Sequence, residues 1–493
     1  MLRSLFDGRN FMIGNKLIIN SLLLAALLLV SNTALAELKI DGRLDDPDWA
    51  EAQVFSDFIV IEPLTFNTPR LQTKALLLST PEGLAVVFIC EQPEETRTRT
   101  ITQRDPQQFD ADSVSLMIDF DGTGEIAHEF GVSITGSYRD GTITNENSFS
   151  RDWDSVWQRA VNEEPESWTV EILLPWSIVA MREGADETRQ IAVFCQREVH
   201  DSGEKFAFPA TSSGLTRFVS DFARIEVQRY SAQEFNVWPY VTVLSDIVND
   251  SITGKGGLDL FWKPSGRFQV VATFNPDFGQ VESDDLVIDF SAIETRFSDK
   301  RPFFTENQGI FGDTLPVGDH IFYTRRIGGP RDDNGGASDI DGALKVIGSA
   351  GSLNYGIFAA HEADAVGRSF YAGRVTFPGD NWSVGAISTY VERPFLDRTA
   401  LVNMIDYDVK PGDSWRWYGE FISGKVDSNT GSSDGLGAFN VIEYTPNDRW
   451  TYDASLLQYT DSLDITDMGY SRRNNIEELH VGVEYRHTDF PEN

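Results

Sequence analysis

Two tryptophans in the segment RDWDSVW, Arg151–Trp157, are the residues that most suggest binding chemistry. Trp153 and Trp157 stand four residues apart, and this spacing places both side chains on one side of either a strand or a helix. An exposed indole face stacks on the C–H face of a sugar ring, and the carboxylates of Asp152 and Asp154 offer acceptors for its hydroxyl groups. The pair is therefore a candidate carbohydrate site. The alternative is that both rings close a hydrophobic core.

An acidic turn, DFDGTGE at residues 119–125, supplies oxygen atoms of the kind that calcium prefers. Asp119, Asp121 and Glu125 are the candidate ligands, although their spacing differs from that of the twelve-residue EF-hand loop. Asp-Gly pairs more often simply form hairpin turns. Two interpretations stay open, a calcium site and an ordinary turn, and no other cofactor is indicated.

Motifs of the common catalytic classes are nearly absent. The sequence contains no HExxH, Walker A, paired CxxC or GxGxxG pattern, and its histidines are scattered. One GxSxG match, Gly431–Gly435, lies in a small-residue loop between strand-like segments, whereas a nucleophile elbow needs a following helix. Because 76 acidic residues place carboxylate pairs everywhere, such pairs do not identify a glycosidase. We expect no catalytic activity, with an O-glycosyl hydrolase of carbohydrate catabolism as the alternative.

Charge and cysteine content narrow the possible partners. The 76 acidic residues against 41 basic ones make nucleic acid and anionic lipid surfaces poor partners. The two cysteines, Cys90 and Cys195, each lie in an apolar, strand-like run. They are either two buried free thiols or, in an exported domain, a disulfide.

The N-terminus has the features of a signal peptide. Arg9 and Lys16 precede an apolar stretch from Leu17 to Val30, and Ala34-Leu-Ala36 provides a small-residue cleavage site. The apolar stretch is too short for a transmembrane helix, which needs about 20 residues. We therefore expect residues 1–36 to be removed during export.

A β-sandwich is predicted for residues 37–232. Its opening, Ile40–Trp49, indicates a short strand, a turn and a helix start at Pro47, with Trp49 folding back as a hydrophobic anchor. Trp168 alternates with Val170, Ile172 and Leu174 and is assigned to the core. Further strand signals at sandwich spacing are Lys74–Leu78, Leu84–Cys90, Ser113–Phe120, His128–Thr135, Trp168–Leu174 and Ile191–Gln196.

An antiparallel transmembrane β-barrel is predicted for residues 233–493. Segments of about nine residues alternate apolar with polar or small residues and carry aromatic residues at their ends, as in Trp382–Tyr390. Connections alternate between tight turns, such as Pro378–Asn381, and longer acidic loops, such as Lys425–Asp434. The alternative is a water-soluble second β-domain. We count about thirteen crossing segments, which is an odd number, whereas bacterial barrels close with even numbers. One expectation is therefore that the chain is truncated and its barrel incomplete.

The segment 274–311 interrupts this pattern and contains NPDFGQVESD and KRPFFTENQGIF. With these pieces, and with Asp467–Asn475, the chain resembles a family whose members join a family 9-type carbohydrate-binding module to a C-terminal outer-membrane barrel-like domain of uncharacterised function. The opening at Ile40–Trp49 is similar to that of family 9-type modules. The resemblance implies tryptophan-based binding of a terminal sugar and a structural calcium. The insertion at 274–311 is either a plug folded into the lumen or an extracellular loop.

These features predict an exported outer-membrane protein that captures glycans at the cell envelope, linked to carbohydrate uptake or breakdown. Its partners would be a carbohydrate and the outer-membrane bilayer. The sandwich would lie in the periplasm or at the cell surface. A transport or structural barrel with a non-binding sandwich is a further alternative.

Overall fold

Three antiparallel β-sheets form the framework of the protein in this computed structural model. It describes residues 38–487 apart from 152, 183–185, 231–232, 247–250, 266, 279–292, 307, 314 and 448. The predicted signal peptide lies outside the described residues. Sheets of five and eight strands form the N-terminal part, and a sheet of twelve strands forms the C-terminal part. The predicted all-β class, with a sandwich followed by a barrel-type sheet, is confirmed.

The N-terminal sheets have the strand orders β1-β3-β4-β10-β9 and β2-β12-β11-β5-β6-β7-β8, and β13 pairs with β11. The six strands predicted from Lys74 to Gln196 are all present, but the short strand predicted at the opening is not, because residues 38–46 are irregular. The strands are β1 (Gln53–Phe55), β2 (Ile59–Glu62), β3 (Thr73–Ser79), β4 (Gly83–Glu91), β5 (Ser113–Asp119), β6 (Ile126–Ser133), β7 (Tyr138–Thr144), β8 (Ser148–Ser150), β9 (Gln158–Glu163), β10 (Ser167–Pro175), β11 (Thr188–Val199), β12 (Glu204–Phe208) and β13 (Ala223–Gln228). Short 3-10 helices lie at Pro47–Glu51, Glu94–Thr96 and Val219–Asp221.

The two N-terminal sheets share one hydrophobic core. Trp168 and Leu174 on β10 are fully buried in it, as the alternation of their strand predicted. Trp49 is also buried, and its Nε1 donates a hydrogen bond of 3.1 Å to Glu171 Oε1 of β10. The chain start is thereby anchored to the first sheet, because a buried indole N–H needs an acceptor. The predicted role of Trp49 as an anchor is confirmed.

Cys90 and Cys195 are free thiols buried in this core, which decides between the two interpretations of the sequence. Cys90 lies on β4 of the first sheet and Cys195 on β11 of the second. Burial raises the pKa of Cys90 to about 11 and that of Cys195 to about 12. Neither thiol therefore carries the thiolate needed for reaction at neutral pH.

The C-terminal sheet is a meander in which each strand pairs with the next one along the chain. Its first strand begins at Glu234, after β13 ends at Gln228, and the predicted division between residues 232 and 233 falls between them. The strands are β14 (Glu234–Asp246), β15 (Ser251–Ser265), β16 (Phe268–Phe274), β17 (Ile340–Ala350), β18 (Leu353–Glu362), β19 (Ser369–Pro378), β20 (Trp382–Arg393), β21 (Arg398–Val409), β22 (Trp415–Ser428), β23 (Gly431–Asn447), β24 (Trp450–Tyr459) and β25 (Ile476–Tyr485).

Two sequence expectations about this sheet need correction. The described strands number twelve, not about thirteen. The acidic loop expected at Lys425–Asp434 is strand, because β22 runs to Ser428 and pairs with β23 from Gly431 onward. Polar and glycine residues continue the ladder there, since backbone pairing does not depend on apolar side chains. Gly431–Gly435 therefore begins a strand and forms no nucleophile elbow.

The two faces of the C-terminal sheet differ in polarity. On β20, Trp382 and Val384 are exposed, whereas Ser383, Ile387 and Thr389 are buried, so the predicted alternation is present. The exposed face carries many large apolar side chains, among them Ile357, Ile405, Phe421 and Leu436. Buried polar side chains of the opposite face include Lys263, Gln269, Thr273, Lys345, Glu362, Arg374, Arg416 and Glu420.

The described part of the insertion packs against the buried face. It contains a one-turn α-helix at Pro302–Thr305 and a 3-10 turn at Gln308–Phe311. Phe304 is fully buried and lies 6.2 Å from Phe358 of β18, measured between ring centroids. Lys345 Nζ of β17 donates to the carbonyl oxygen of Phe303 at 2.7 Å. These contacts hold the described residues 302–311 against the buried face of the sheet. Further 3-10 turns lie at Pro316–Gly318, Thr324–Arg326 and Pro394–Leu396.

Residues 40–493 form one compact unit, and a buried ion pair joins the sandwich to the C-terminal sheet within it. Glu146, after β7, pairs with Lys410, which lies between β21 and β22. The other carboxylate oxygen of Glu146 accepts backbone N–H groups from Phe218 at 2.7 Å and Ser220 at 3.0 Å. Burial would raise the pKa of Glu146, but the Lys410 ammonium and these N–H donors hold it below its usual range.

This ion pair predicts a pH dependence of stability. A carboxyl group with a lowered pKa stabilises the fold above its unfolded pKa of 4.5, and this contribution is lost as the pH falls further. Glu146→Gln should lower the free energy of unfolding by about 3 kcal/mol at pH 7, because buried Lys410 would lose its closest partner charge and keep only Asp408, at 3.7 Å. Thermal unfolding, followed by tryptophan fluorescence at pH 7 and in steps below pH 4.5, measures the difference in stability between the wild type and Glu146→Gln. This difference should narrow as the pH falls.

The matched control is Asp413→Asn. Asp413 pairs with Arg217 of the sandwich at 3.5 Å across the same junction, but its side chain is fully exposed to solvent. Removing its charge should leave the unfolding midpoint almost unchanged. Equal losses for both variants, or a loss in Glu146→Gln that does not vary with pH, would contradict the assigned role of the buried pair.

Candidate functional site

A cavity of about 850 Å³ lies where the sandwich, the insertion and the buried face of the C-terminal sheet meet. The sandwich contributes the β7–β8 hairpin and the segment that follows it. The connection between β16 and β17, which contains the insertion, contributes residues between Arg296 and Thr324, and we call this side of the cavity the insertion wall. The sheet contributes residues of β22 and β23. The volume falls in the range of roughly 300–1,000 Å³ that is usual for ligand sites.

The β7–β8 hairpin forms the sandwich wall of the cavity. Asn145 and Glu146 both have a positive φ, 51° and 70°, and together they reverse the chain direction between the two strands. Asn145 Nδ2 donates to the carbonyl oxygen of Asp313 at 3.2 Å, and its own carbonyl oxygen accepts a hydrogen bond from Arg416 Nη2 at 3.2 Å. Asn147 Nδ2 is held by the carbonyl oxygen of Leu215 at 2.7 Å. The hairpin tip is thus fixed to both other walls.

The insertion wall is held in place by Asp313. Its Oδ2 accepts the backbone N–H of Ile321 at 2.8 Å, and its Oδ1 lies 3.2 Å from Nδ1 of His320. In the same wall, Phe311 stacks on Phe322 with ring centroids 4.6 Å apart. A rigid wall of this kind can present its polar groups without first reorganising, which lowers the free-energy cost of binding.

The sheet wall carries a fixed cation and a tyrosine. Arg416 Nη2 is held by Asp408 Oδ2 at 2.8 Å, and its guanidinium lies over the ring of Tyr418 at 4.2 Å. The hydroxyl of Tyr418 lies 3.5 Å from Glu443 Oε1. The positive charge of Arg416 is thus balanced by the neighbouring carboxylate of Asp408.

Neutral hydrogen-bonding groups and aromatic rings dominate the rest of the lining. Thr142, Thr144, Ser148 and Ser150 supply hydroxyl groups. Phe149 supplies a ring that is 42 % exposed and has Phe218 on its other side, with centroids 6.2 Å apart. Arg151, Arg296 and Asp299 also line the cavity. Hydroxyl and amide groups beside an accessible ring are groups that can bind a polyhydroxylated ligand.

The predicted tryptophan site is not an exposed stacking platform. Trp153 is 2 % exposed and Trp157 is 5 % exposed, and both rings make edge contacts with Phe130 in the sandwich core. Trp157 Nε1 donates to Asp140 Oδ2 at 2.8 Å. The spacing correctly predicted that the two rings lie on one side. That side faces the hydrophobic core, as in the alternative that both rings close the core.

Of the two aspartates of the same motif, only Asp154 lies within the described residues. Asp154 is about half exposed and pairs with Arg104, and Asp152 lies outside the described residues. Trp153 does reach the cavity wall, and its indole N–H has no hydrogen-bond partner among the described residues. Among the described residues of the motif, Arg151 and Trp153 both line the cavity and connect the motif to it.

The acidic turn does not fit a calcium ion. Asp119 already accepts backbone N–H groups from Asp121 and Gly122, each at 3.0 Å, and from Gly124 at 2.6 Å. These bonds use the oxygen atoms that a cation would need, as expected of an Asp-containing turn. Among residues that the structure describes, no group of three or more His, Cys, Asp or Glu side chains is placed to hold a metal ion.

Burial raises the pKa of Asp119 to about 6 and that of Glu125 to about 7. The three backbone N–H groups already occupy both carboxylate oxygens of Asp119. The geometry therefore favours the turn interpretation, and no reaction or binding step is assigned to calcium.

Little in the sequence indicates the cavity. Its walls come from residues 107–153, 296–324 and 416–443, which only the tertiary fold brings together. The one local signal is the polar run Thr144–Ser148, TNENS, in which asparagine favours a left-handed turn.

Within the described part of the chain, no helix is both long and apolar enough to span a membrane.

A family profile for a domain of unknown function, DUF5916, matches residues 233–346 of this chain. The match includes β14–β16, the insertion and the first part of β17, and it covers less than half of the sequence. No curated protein is significantly similar to this chain.

Several solved structures align with parts of the protein at low similarity. A proposed carbohydrate-binding protein from Bacteroides uniformis shares 9% identity over 37% of this chain and 88% of its own, with a TM-score of 0.30. OmpT of Vibrio cholerae shares 10% identity over 81% and 97%, with a TM-score of 0.27. An anion-selective porin from Comamonas acidovorans shares 10% identity over 76% and 95%, with a TM-score of 0.26. These low scores carry no argument, so the assignments above rest on the sheets themselves.

Core burial predicts the effect of truncating Trp153. Trp153→Ala should lower the free energy of unfolding by about 3–5 kcal/mol, because it removes a large buried ring. The matched control is Val156→Ala, since Val156 stands between the two tryptophans but is 87 % exposed and should change stability little. Denaturant unfolding monitored by fluorescence measures both. A Trp153→Ala protein of unchanged stability would show that the ring does not support the core.

Proposed function

We propose that this protein is an outer-membrane barrel protein that binds a carbohydrate in the cavity between its sandwich, its insertion and its barrel wall. The observation that carries the proposal is the lining of the cavity. Threonine, serine and asparagine side chains line the same cavity as the accessible ring of Phe149. Stacking and hydroxyl hydrogen bonds together would provide affinity without bond cleavage.

The outward face of the C-terminal sheet supports the membrane location. Large apolar side chains are exposed on strand after strand, and aromatic residues such as Trp382 and Trp450 lie at strand ends. An exposed apolar surface of this extent is unfavourable in water. It suits the lipid-facing band and the interfacial aromatic girdles of an outer-membrane barrel.

The resemblance of the N-terminal part to family 9-type modules supports a sugar as the ligand. The module-like opening contains Trp49, which is buried, so it supports the fold of the sandwich and does not itself contact a ligand. The position of the cavity beside the barrel wall links capture to uptake of oligosaccharides. No lining residue is assigned a catalytic role, and a binder would leave oligosaccharides uncut.

Binding should depend on the ring of Phe149. Phe149→Ala is expected to weaken the affinity for the best-bound oligosaccharide about tenfold, because it removes one stacking surface worth about 1.4 kcal/mol. Isothermal titration of detergent-purified full-length protein with an oligosaccharide panel measures the affinity. Chromatography of the sugars after incubation separates binding from hydrolysis.

Phe395→Ala is the control for this experiment. Phe395 has a similar exposure, 53 %, but lies in the turn between β20 and β21, away from the cavity lining. Its replacement should leave the affinity unchanged. If no oligosaccharide binds, or if both variants bind like the wild type, the cavity is not the carbohydrate site.

Membrane insertion should depend on the outward face. Ile357 lies in the middle of β18 and is 52 % exposed. In water, Ile357→Arg would change stability by less than about 0.5 kcal/mol. In lipid it should cost about 2–4 kcal/mol and reduce the folded, heat-modifiable band in the outer-membrane fraction.

Asn429→Arg provides the matched control, because Asn429 is exposed in the turn between β22 and β23. This substitution adds the same charge outside the apolar band. It should leave the amount of folded protein in the outer-membrane fraction unchanged. Wild-type recovery of Ile357→Arg from the soluble periplasmic fraction would rule out the membrane location.

A further inference from the structure

The connections of the C-terminal meander form two rims of different character. Because each strand is antiparallel to the next, successive connections lie at alternate ends of the strands. The two longest, 275–339 and 460–475, are at one end, which we call the long-loop rim. The opposite end, the short-turn rim, consists of the connections 266–267, 351–352, 379–381, 410–414 and 448–449.

The sandwich contacts the short-turn rim. Arg182, after β10, donates to Asn354 Oδ1 at the start of β18 at 3.2 Å. Thr216 Oγ1 lies 2.7 Å from Thr445 Oγ1 near the end of β23. Among the described residues, further hydrogen bonds and ion pairs between sandwich and barrel also lie at this rim: Lys263 with Trp176 and Val179, Lys410 with Glu146, Arg416 with Asn145, Arg217 with Asp413, and Arg486 with Gly214.

Two of these contacts bury a lysine. Lys263, near the end of β15, donates to the carbonyl oxygens of Trp176 at 2.9 Å and Val179 at 2.6 Å. Lys410 pairs with the buried carboxylate of Glu146. A buried ammonium without acceptors is strongly unfavourable, so withdrawal of the sandwich would require rehydration of both groups. The sandwich is therefore fixed across this rim by more than surface contacts.

The chain path agrees with this arrangement. The first barrel strand, β14, begins at Glu234 and pairs there with Lys263 of β15, so the chain enters the barrel at the short-turn rim. The insertion leaves from the long-loop rim and reaches the sandwich, where Asn145 bonds to Asp313. The cavity is thus enclosed between the sandwich on one side and the insertion within the barrel wall on the other.

We propose that the sandwich is a periplasmic cap seated across the inner mouth of the barrel. This rests on the proposed membrane location and adds the side of the membrane, since outer-membrane barrels have short periplasmic turns and longer extracellular loops. The ligand cavity then lies at the periplasmic end of the barrel. A solute that enters from outside must pass the insertion before it meets the sandwich.

Single-cysteine labelling tests the orientation. The two native cysteines are buried, so the wild-type protein is the unreactive blank. Asp201→Cys reports on the β11–β12 turn of the sandwich, Asp380→Cys on the short-turn rim, and Asn429→Cys on the long-loop rim; all three positions are exposed. Each variant is expressed in cells and treated with a membrane-impermeant maleimide before and after permeabilisation of the outer membrane.

The proposal expects Asn429→Cys to be labelled equally in intact and permeabilised cells. Labelling of Asp201→Cys and Asp380→Cys should rise severalfold on permeabilisation. Labelling of Asp201→Cys in intact cells would overturn the periplasmic assignment, whether or not Asp380→Cys stays protected. Failure of the membrane location is recognised separately, because the protein would then be absent from the outer-membrane fraction and all three cysteines would respond alike to permeabilisation.

Discussion

The architecture depends on buried cations of the barrel wall whose hydrogen-bond acceptors come from other parts of the chain. Lys345 finds carbonyl oxygens in the insertion, Lys263 finds them in the sandwich, and Lys410 finds the carboxylate of Glu146. An ammonium group removed from water must be satisfied by such partners. The wall, the insertion and the sandwich are therefore mutually dependent, and the cavity among them has a fixed shape.

That dependence explains how a polar cavity is maintained beside an apolar outer surface. Alternation along each strand separates the two environments, with apolar groups outward and charged groups inward. Arg416 illustrates the consequence, since it is held by Asp408 and at the same time reaches Asn145 of the sandwich. Groups that line the cavity are positioned by contacts behind them, which leaves their remaining polar atoms for a ligand.

Local sequence patterns predicted the fold well where a strand has one buried face. The alternation in Trp168–Leu174 and in Trp382–Tyr390 specified which side chains would be buried together. The same reasoning could not decide which side of the Trp153–Trp157 segment faces the core, because that depends on the neighbouring sheet. The strand through Lys425–Asp434 was missed because polar residues carry no periodic signal. The cavity was not predictable, since its walls are distant in sequence.

In an exported protein of the kind proposed above, the two free cysteines would impose an order on maturation. Before the sandwich closes, Cys90 and Cys195 would be accessible to the oxidants of the periplasm, where unprotected thiols form mixed or incorrect disulfides. Once the two sheets pack together, both sulfur atoms are sealed in the core and become unreactive. Prompt closure of the sandwich would therefore serve as its own antioxidant protection, without help from a disulfide-forming catalyst.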